Sequence, residues 1–154
     1  MQSSSEETAG NSIRPMEVSI PIVVRSYDID FAGIVSNIVY VRWMEDLRMK
    51  FLEVHSPLDA QMAAGFAPAL THTEISYRKI TRLFDAVIGK CWVEDLTRAT
   101  WTLAGEFTVN GEVVATARQS GAFIRLDTGK PVRTPLELRE KYARAMAEVR
   151  APDG

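Results

Sequence analysis

The period of the apolar residues changes once along the chain, and that change limits the fold more than any other feature. Tyr40, Trp43, Met44, Leu47, Phe51 and Val54 recur every three or four positions, with Arg42, Glu45, Asp46, Lys50 and Glu53 on the other side. This spacing predicts one long amphipathic helix, with Ser36 or Asn37 placed to cap it. Farther on the chain reads as strands: Leu70–Ile80, Ala86–Leu96, Thr100–Val109 and Glu112–Leu126 are consecutive β-rich runs. Strands that follow one another without intervening helices favour an antiparallel α+β layer over a parallel α/β sheet. A helical stripe this rich in aromatics needs a wide concave apolar surface, which a strongly twisted sheet supplies.

The remaining segments fit around that pair. Glu17–Arg25 alternates as a half-buried strand, and Pro21 suits an edge because it cannot donate to a ladder. Ser56-Pro57 predicts a short second helix with Pro at its first position, ending at Gly65. Asn110-Gly111 predicts a two-residue hairpin, and Gly121 a bulge or bend within the last long run. Asp127–Pro131 reads as a turn that closes the sheet. Thr134-Pro135-Leu136-Glu137 reads as a capping box opening a C-terminal helix with Leu138, Tyr142, Ala145 and Val149 on one stripe. Residues 1–15 lack a hydrophobic period and are expected to be a disordered tail before a single domain over 16–150.

Composition removes several classes of function. The chain has 154 residues, with 18 basic against 20 acidic and a formal net charge of −2, so no basic surplus favours nucleic acid. One cysteine and two histidines argue against a disulfide framework, a thiolate zinc cluster or a histidine metal site. No metal and no resident cofactor are expected. No apolar run approaches the ~18 residues a membrane helix needs, and MQSSSEETAGNS has no apolar leader core. A cytoplasmic location is the expectation.

The chain contains no G-x-S-x-G elbow, P-loop, G-x-G-x-x-G or H-E-x-x-H. The best remaining candidate for chemistry is the loop with Asp28, Asp30 and Gly33, between a strand and the start of the longest helix. Unpaired N–H groups at a helix start suit an oxyanion, and a nearby carboxylate can act as nucleophile or as general base toward water.

Tyr27-Asp28-Ile29-Asp30-Phe31-Ala32-Gly33-Ile34-Val35-Ser36-Asn37, followed by Tyr40 and Trp43-Met44-Glu45, resembles the opening motif of the hotdog-fold thioesterases. The nearest branch is the 4-hydroxybenzoyl-CoA thioesterase family. Ile75–Ile80 and Arg82-Leu83-Phe84-Asp85 resemble that family's next strand and turn, and the resemblance covers residues 17–133. It implies an antiparallel sheet wrapped around one central helix, and a homodimer or homotetramer with sites between subunits. It implies an acyl-CoA substrate, or an acyl group on an acyl carrier protein, with coenzyme A entering only as part of the substrate. By the same resemblance Asp30 is catalytic, and the Asn37 N–H polarises the thioester carbonyl. Gly33, Ile34, Val35 and Tyr40 would line the substrate site. The chain departs from the common pattern at Ile34, Asn37, Val39 and Phe84, which leaves the carboxylate in place and the acyl specificity open.

Each of these residues also has a plainer reading. Asp30 can be a turn aspartate bonded to its own backbone, and Asp28 is read that way. Gly33 permits positive φ under either reading. Arg78, Lys79 and Arg82 could grip coenzyme A phosphates, or form a solvated strand end. Glu45 reads as a solvated or interface carboxylate, His72 as structural and Cys91 as a buried small hydrophobe; Trp92 and Trp101 read as core or dimer contacts. Two other functions stay open: a hotdog hydratase or dehydratase, which would want a histidine where Ile34 stands, and an acyl-CoA-binding module without turnover.

Overall fold

The structure, a computed structural model, describes residues 14–150. Strand β1 (Val18–Val23) leads through a loop to helix α1 (Val39–His55) and the short α2 (Leu58–Ala63). Then come β2 (Phe66–Tyr77), β3 (Ala86–Leu96), β4 (Trp101–Val109), β5 (Glu112–Arg125), the two-residue β6 (Pro131–Val132) and α3 (Leu136–Arg150). All pairings are antiparallel, in the order β1-β3-β4-β5-β2, with β6 added to β5. The sheet is curled around α1, which is the expected α+β hotdog architecture.

The core forms where α1 meets the inner face of the sheet. Tyr40, Trp43, Met44, Leu47 and Phe51 are buried as the stripe predicts, joined by Val39 and Leu52. Val54 is not part of it, being 52% exposed, because the helix axis carries that position out past the sheet. On β5 the inward row is Ala115, Ala117, Gln119, Gly121 and Phe123, alternating from Thr116 onward with half-exposed or exposed neighbours, while Val114 is buried as well. Asn110 and Gly111 take φ of 51° and 79°, as a type I′ hairpin requires. Pro21 lies on an edge strand, paired only with β3.

Several predicted boundaries move, each for a tertiary reason. Neither Ser36 nor Asn37 caps α1: Ile38 is the N-cap, and no side chain bonds the first turn. Pro57 stands at the N-cap of α2 rather than inside it, and the helix stops at Ala63, before Gly65 (φ 89°). β2 starts at Phe66, four residues early, because Phe66–Ala69 continue the ladder with β5; it stops at Tyr77, where Arg78 and Lys79 both donate to Val114 O. The Thr134 capping box does not form. The Thr134 hydroxyl is buried with no hydrogen-bond partner among the described residues, and α3 begins at Leu136. Along α3, Leu138 is buried and Tyr142 packs against the core, whereas Val149 is exposed.

Most of the expected tail, residues 1–13, lies outside the described residues, but Arg14 and Pro15 are folded. The Arg14 guanidinium lies 4.1 Å above the Trp92 ring and pairs with Glu106 at 2.6 Å, and the Pro15 carbonyl accepts the Val93 N–H at 3.0 Å.

Gly121 marks a bulge, but the extra residue belongs to the partner strand. Leu70 pairs with Gly121 and His72 with Ser120, so Thr71 is unmatched. A Cβ at Gly121 would lie 1.8 Å from Ala69 O and 2.7 Å from the Trp101 ring. Gly121→Ala is therefore expected to cost ~1–3 kcal/mol by overpacking, lowering the melting temperature by roughly 2–4 °C per kcal/mol. Gly105→Ala meets only the flexible Met44 side chain and should cost less. Thermal melts of the two variants decide the order, and a Gly121→Ala variant as stable as the parent contradicts this packing.

Candidate active site

The loop between β1 and α1 is built almost entirely from bonds to itself. Ser26–Asp28 forms a 3₁₀ turn, in which the buried Asp28 carboxylate accepts the Arg25 N–H at 2.8 Å. The Asp28 carbonyl accepts Ser36 N–H at 2.9 Å, closing the loop's two ends together. Asp28 is thus a loop-ordering residue, as its plainer reading holds. Inside that closure Ile29 bridges Val35, the Asp30 N–H donates to Ile34 O at 2.9 Å, and Gly33 turns the chain with φ 78°.

Asp30 is half-buried at the tip of this small hairpin. Its Oδ1 accepts the Ala32 N–H at 2.8 Å and the Ile34 N–H at 3.5 Å. Those bonds are the turn geometry of the plainer reading. Oδ2 has no partner among the described residues, so one oxygen is held by the loop while the other stays available.

The helix start beside it is open. Val39 N–H donates back to Ser36 O at 3.0 Å, while the N–H groups of Asn37 and Ile38 have no acceptor among the described residues. Asn37 is exposed, and its carbonyl is fixed by the Tyr77 hydroxyl at 2.7 Å. Val35 and Tyr40, expected at the substrate, lie instead in the core beneath the loop. The Tyr40 hydroxyl bonds Thr81 Oγ1 at 2.9 Å, and the Val35 N–H donates to Thr81 O at 2.8 Å. Burial pushes the Tyr40 phenol up from its usual range, so it stays protonated. Thr81 and Tyr77 are the positioning residues that sequence reasoning missed. Neither residue type points to the loop by itself: Tyr77 reaches it from the end of β2, and Thr81 from the segment 78–85 that docks against it.

The predicted basic cluster divides. The Lys79 ammonium pairs with Glu112, while Arg78 and Arg82 are exposed and make no ion pair among the described residues. Around the loop Phe31, Phe84, Tyr27 and Ile38 are also exposed, the first of them completely. His72 is exposed on β2 beside Glu74. No three His, Cys, Asp or Glu side chains converge as metal ligands among the described residues. Among the same residues no helix is long and apolar enough to cross a membrane.

A sheet curled round one helix, with an acidic loop feeding the helix start, defines a hotdog protein, and comparison with known proteins agrees. A model of the thioesterase-like superfamily matches residues 24–142, and the chain belongs to that superfamily. No curated protein matches it. Among solved structures, the chain is similar to a DHNA-CoA thioesterase from Staphylococcus aureus, with a TM-score of 0.79 and 23% identity, covering 85% of this chain and 91% of that one. It is also similar to the probable thioesterase YbaW from Escherichia coli, with a TM-score of 0.71 and 26% identity over 84% and 98%. A 1,4-dihydroxy-2-naphthoyl-CoA thioesterase from Synechocystis has a TM-score of 0.73 and 18% identity over 82% and 96%. The first and third of these likenesses concern the fold alone.

Cys91 is not a candidate nucleophile. It is fully buried, its Sγ 3.7 Å from Leu47 O, and burial pushes its thiol up to about 12. At pH 8 a thiol reagent is expected to leave the native protein unlabelled and to titrate one thiol after denaturation. Labelling of the native protein would show that the β3–α1 contact opens.

Proposed function

We propose that the protein hydrolyses an acyl thioester of coenzyme A to the free acid and coenzyme A. The observation that carries this reading is the state of Asp30 within a thioesterase-like fold: Oδ1 is anchored to the loop, Oδ2 has no partner among the described residues, and the same loop leads into a helix start with no side-chain cap. Asp30 Oδ2 attacks the carbonyl carbon, forming a mixed anhydride that water then cleaves, or it takes a proton from the water that attacks. In either route the oxyanion is received by the Asn37 N–H, strengthened by the helix dipole, and thiolate departs without a strong acid. Gly33 and Ile34 lie beside the reacting group, and Arg78 and Arg82 are the free cations for coenzyme A phosphates.

A second copy of the chain would complete this site. β2 is an edge strand of twelve residues, paired on one side only, with β5, and Ile38, Val41 and Met49 are exposed on or next to α1. Exposed apolar residues beside an open sheet edge suit an interface, and a homodimer or a dimer of dimers would cover them.

Asp30→Asn separates chemistry from loop structure, because asparagine keeps the Oδ1 acceptor for the Ala32 N–H. With short, long and aromatic acyl-CoAs followed by thiol release, kcat is expected to fall ~10²–10⁴-fold while KM and melting temperature hardly move. Hydrolysis at the parent rate on every substrate would falsify the assignment. A parent whose melting temperature rises with acyl-CoA but which releases no thiol would favour the binding module.

A further inference from the structure

A cavity of about 270 Å³ lies along the C-terminal half of α1. Phe51 and Leu52 of α1, Trp101 and Leu103 of β4, Phe123 of β5 and Leu138 of α3 enclose it, and no residue of the catalytic loop lines it. Its lining is apolar except for Glu45 and Arg48.

Arg48 is held by a polar relay that the core would otherwise not tolerate. Its Nη1 donates to Gln119 Oε1 at 2.5 Å, and Gln119 Nε2 donates to Thr73 Oγ1 at 3.0 Å. Gln119 is fully buried in the inward row of β5, so both ends of its amide are used. The guanidinium has five N–H donors. Only Nη1 has an acceptor among the described residues. Glu45, one turn earlier, is exposed and is the one carboxylate of the lining, its charge partly offsetting the burial of the Arg48 guanidinium. Burial disfavours the charge on Arg48, yet a guanidinium does not give up its proton in a protein. A partly desolvated cation with spare donors at an apolar wall is stabilised by an anion, and the guanidinium fork matches a carboxylate in two bonds.

We propose that this cavity binds a compact apolar carboxylate, with its carboxylate on Arg48 and its hydrocarbon body against Phe51, Trp101, Phe123 and Leu138. A dry cavity of ~150 Å³ holds benzene, so the space here accepts one substituted ring or a medium chain of similar bulk. The carboxylate can come from a free acid, or from the far end of an acyl group that carries a second carboxylate. The catalytic reading of Asp30 is not needed for either.

Calorimetric titration of the full-length protein with octanoate and with octanamide tests the pairing. Octanoate is expected to bind ~10–100-fold tighter than the amide, the range a hydrogen-bonded charge supplies. In Arg48→Met the acid should lose that advantage while the amide binds as well as before. Equal affinities for acid and amide in the parent, or no binding of either at millimolar concentration, overturns the proposal. So does an undiminished preference in the variant. The comparison within the parent stands whether or not Arg48→Met folds. With thiol release followed to show that the thioester stays intact, displacement of octanoate by the mono-CoA thioester of an eight-carbon dicarboxylic acid assigns the site to the acyl end. Retention of octanoate assigns it to the free acid, and the preference for octanoate over the amide alone carries the pairing.

Discussion

Met44 and Leu47 reach the sheet where it carries no side chains to oppose them. A Cβ at Gly105 would lie 2.5 Å from Met44 Sδ, and one at Gly89 would lie 2.8 Å from Ile22 Cδ1 and 3.3 Å from Leu47 Cδ1. Two glycines in the inward rows of β3 and β4 therefore let α1 sink into the sheet, while larger residues on the flanks wrap it. Each large side chain fully buried this way contributes about 1.5–3 kcal/mol, which makes the position of α1 the best-determined feature of the molecule. The loop that leads into α1 inherits that precision. Its first end is fixed by β1 and its second by a helix that cannot slide.

Within the loop, the two aspartates show how one residue type does different work two positions apart. Asp28 is buried, and its carboxylate and backbone close the loop on Arg25 and Ser36. Asp30 makes a comparable turn contact with one oxygen only, and it is less buried. The structural and chemical readings of Asp30 are therefore not exclusive. Anchoring Oδ1 removes rotational freedom from the carboxylate, which lowers the entropic cost of placing Oδ2 against a reacting atom. An aspartate free to rotate would be a poorer catalyst in the same place.

The elements legible in the sequence are those specified by a local period. The α1 stripe, the alternation of β3 and the Asn110-Gly111 turn need nothing beyond neighbouring residues. What escaped was specified at a distance. Ser36 has a good capping side chain, yet its carbonyl is drawn into a bond with the Val39 N–H and the helix begins later. Thr134 and Glu137 have capping-box spacing, but the Thr134 N–H is claimed by Arg98 O and its hydroxyl is left unpaired. Arg14 and Pro15 look like tail by composition and are ordered by Trp92, Glu106 and Val93, residues almost eighty positions or more away. In the site, Asp30 was singled out by a motif, and the structure shows its turn bonds. Tyr77 and Thr81 were not singled out, because a phenol and a hydroxyl become site residues only when the end of β2 and segment 78–85 meet the loop. The one polar residue in the inward row of β5, Gln119, did carry a signal: an amide in an otherwise apolar alternation demands a buried partner, and that partner is Arg48.

The two ends of α1 differ in a way that bears on function. The C-terminus is sealed: the Ser56 N–H donates to Leu52 O, the Lys141 ammonium donates to His55 O at 2.7 Å, and the His55 ring bonds Met16 O. A cation at that end also suits the helix dipole. The N-terminus has no side-chain cap, although Ser36 and Asn37 stand next to it, and an absent cap typically costs about 1 kcal/mol. A chain that closes one end of its central helix with its own C-cap bond and a lysine from α3 does not lack the means to close the other. Leaving the Asn37 and Ile38 N–H groups without an acceptor among the described residues forgoes that stability and keeps two donors available at the end of the loop that carries Asp30. On the proposed function, a carbonyl oxygen that gains charge during thioester cleavage is what those donors would serve.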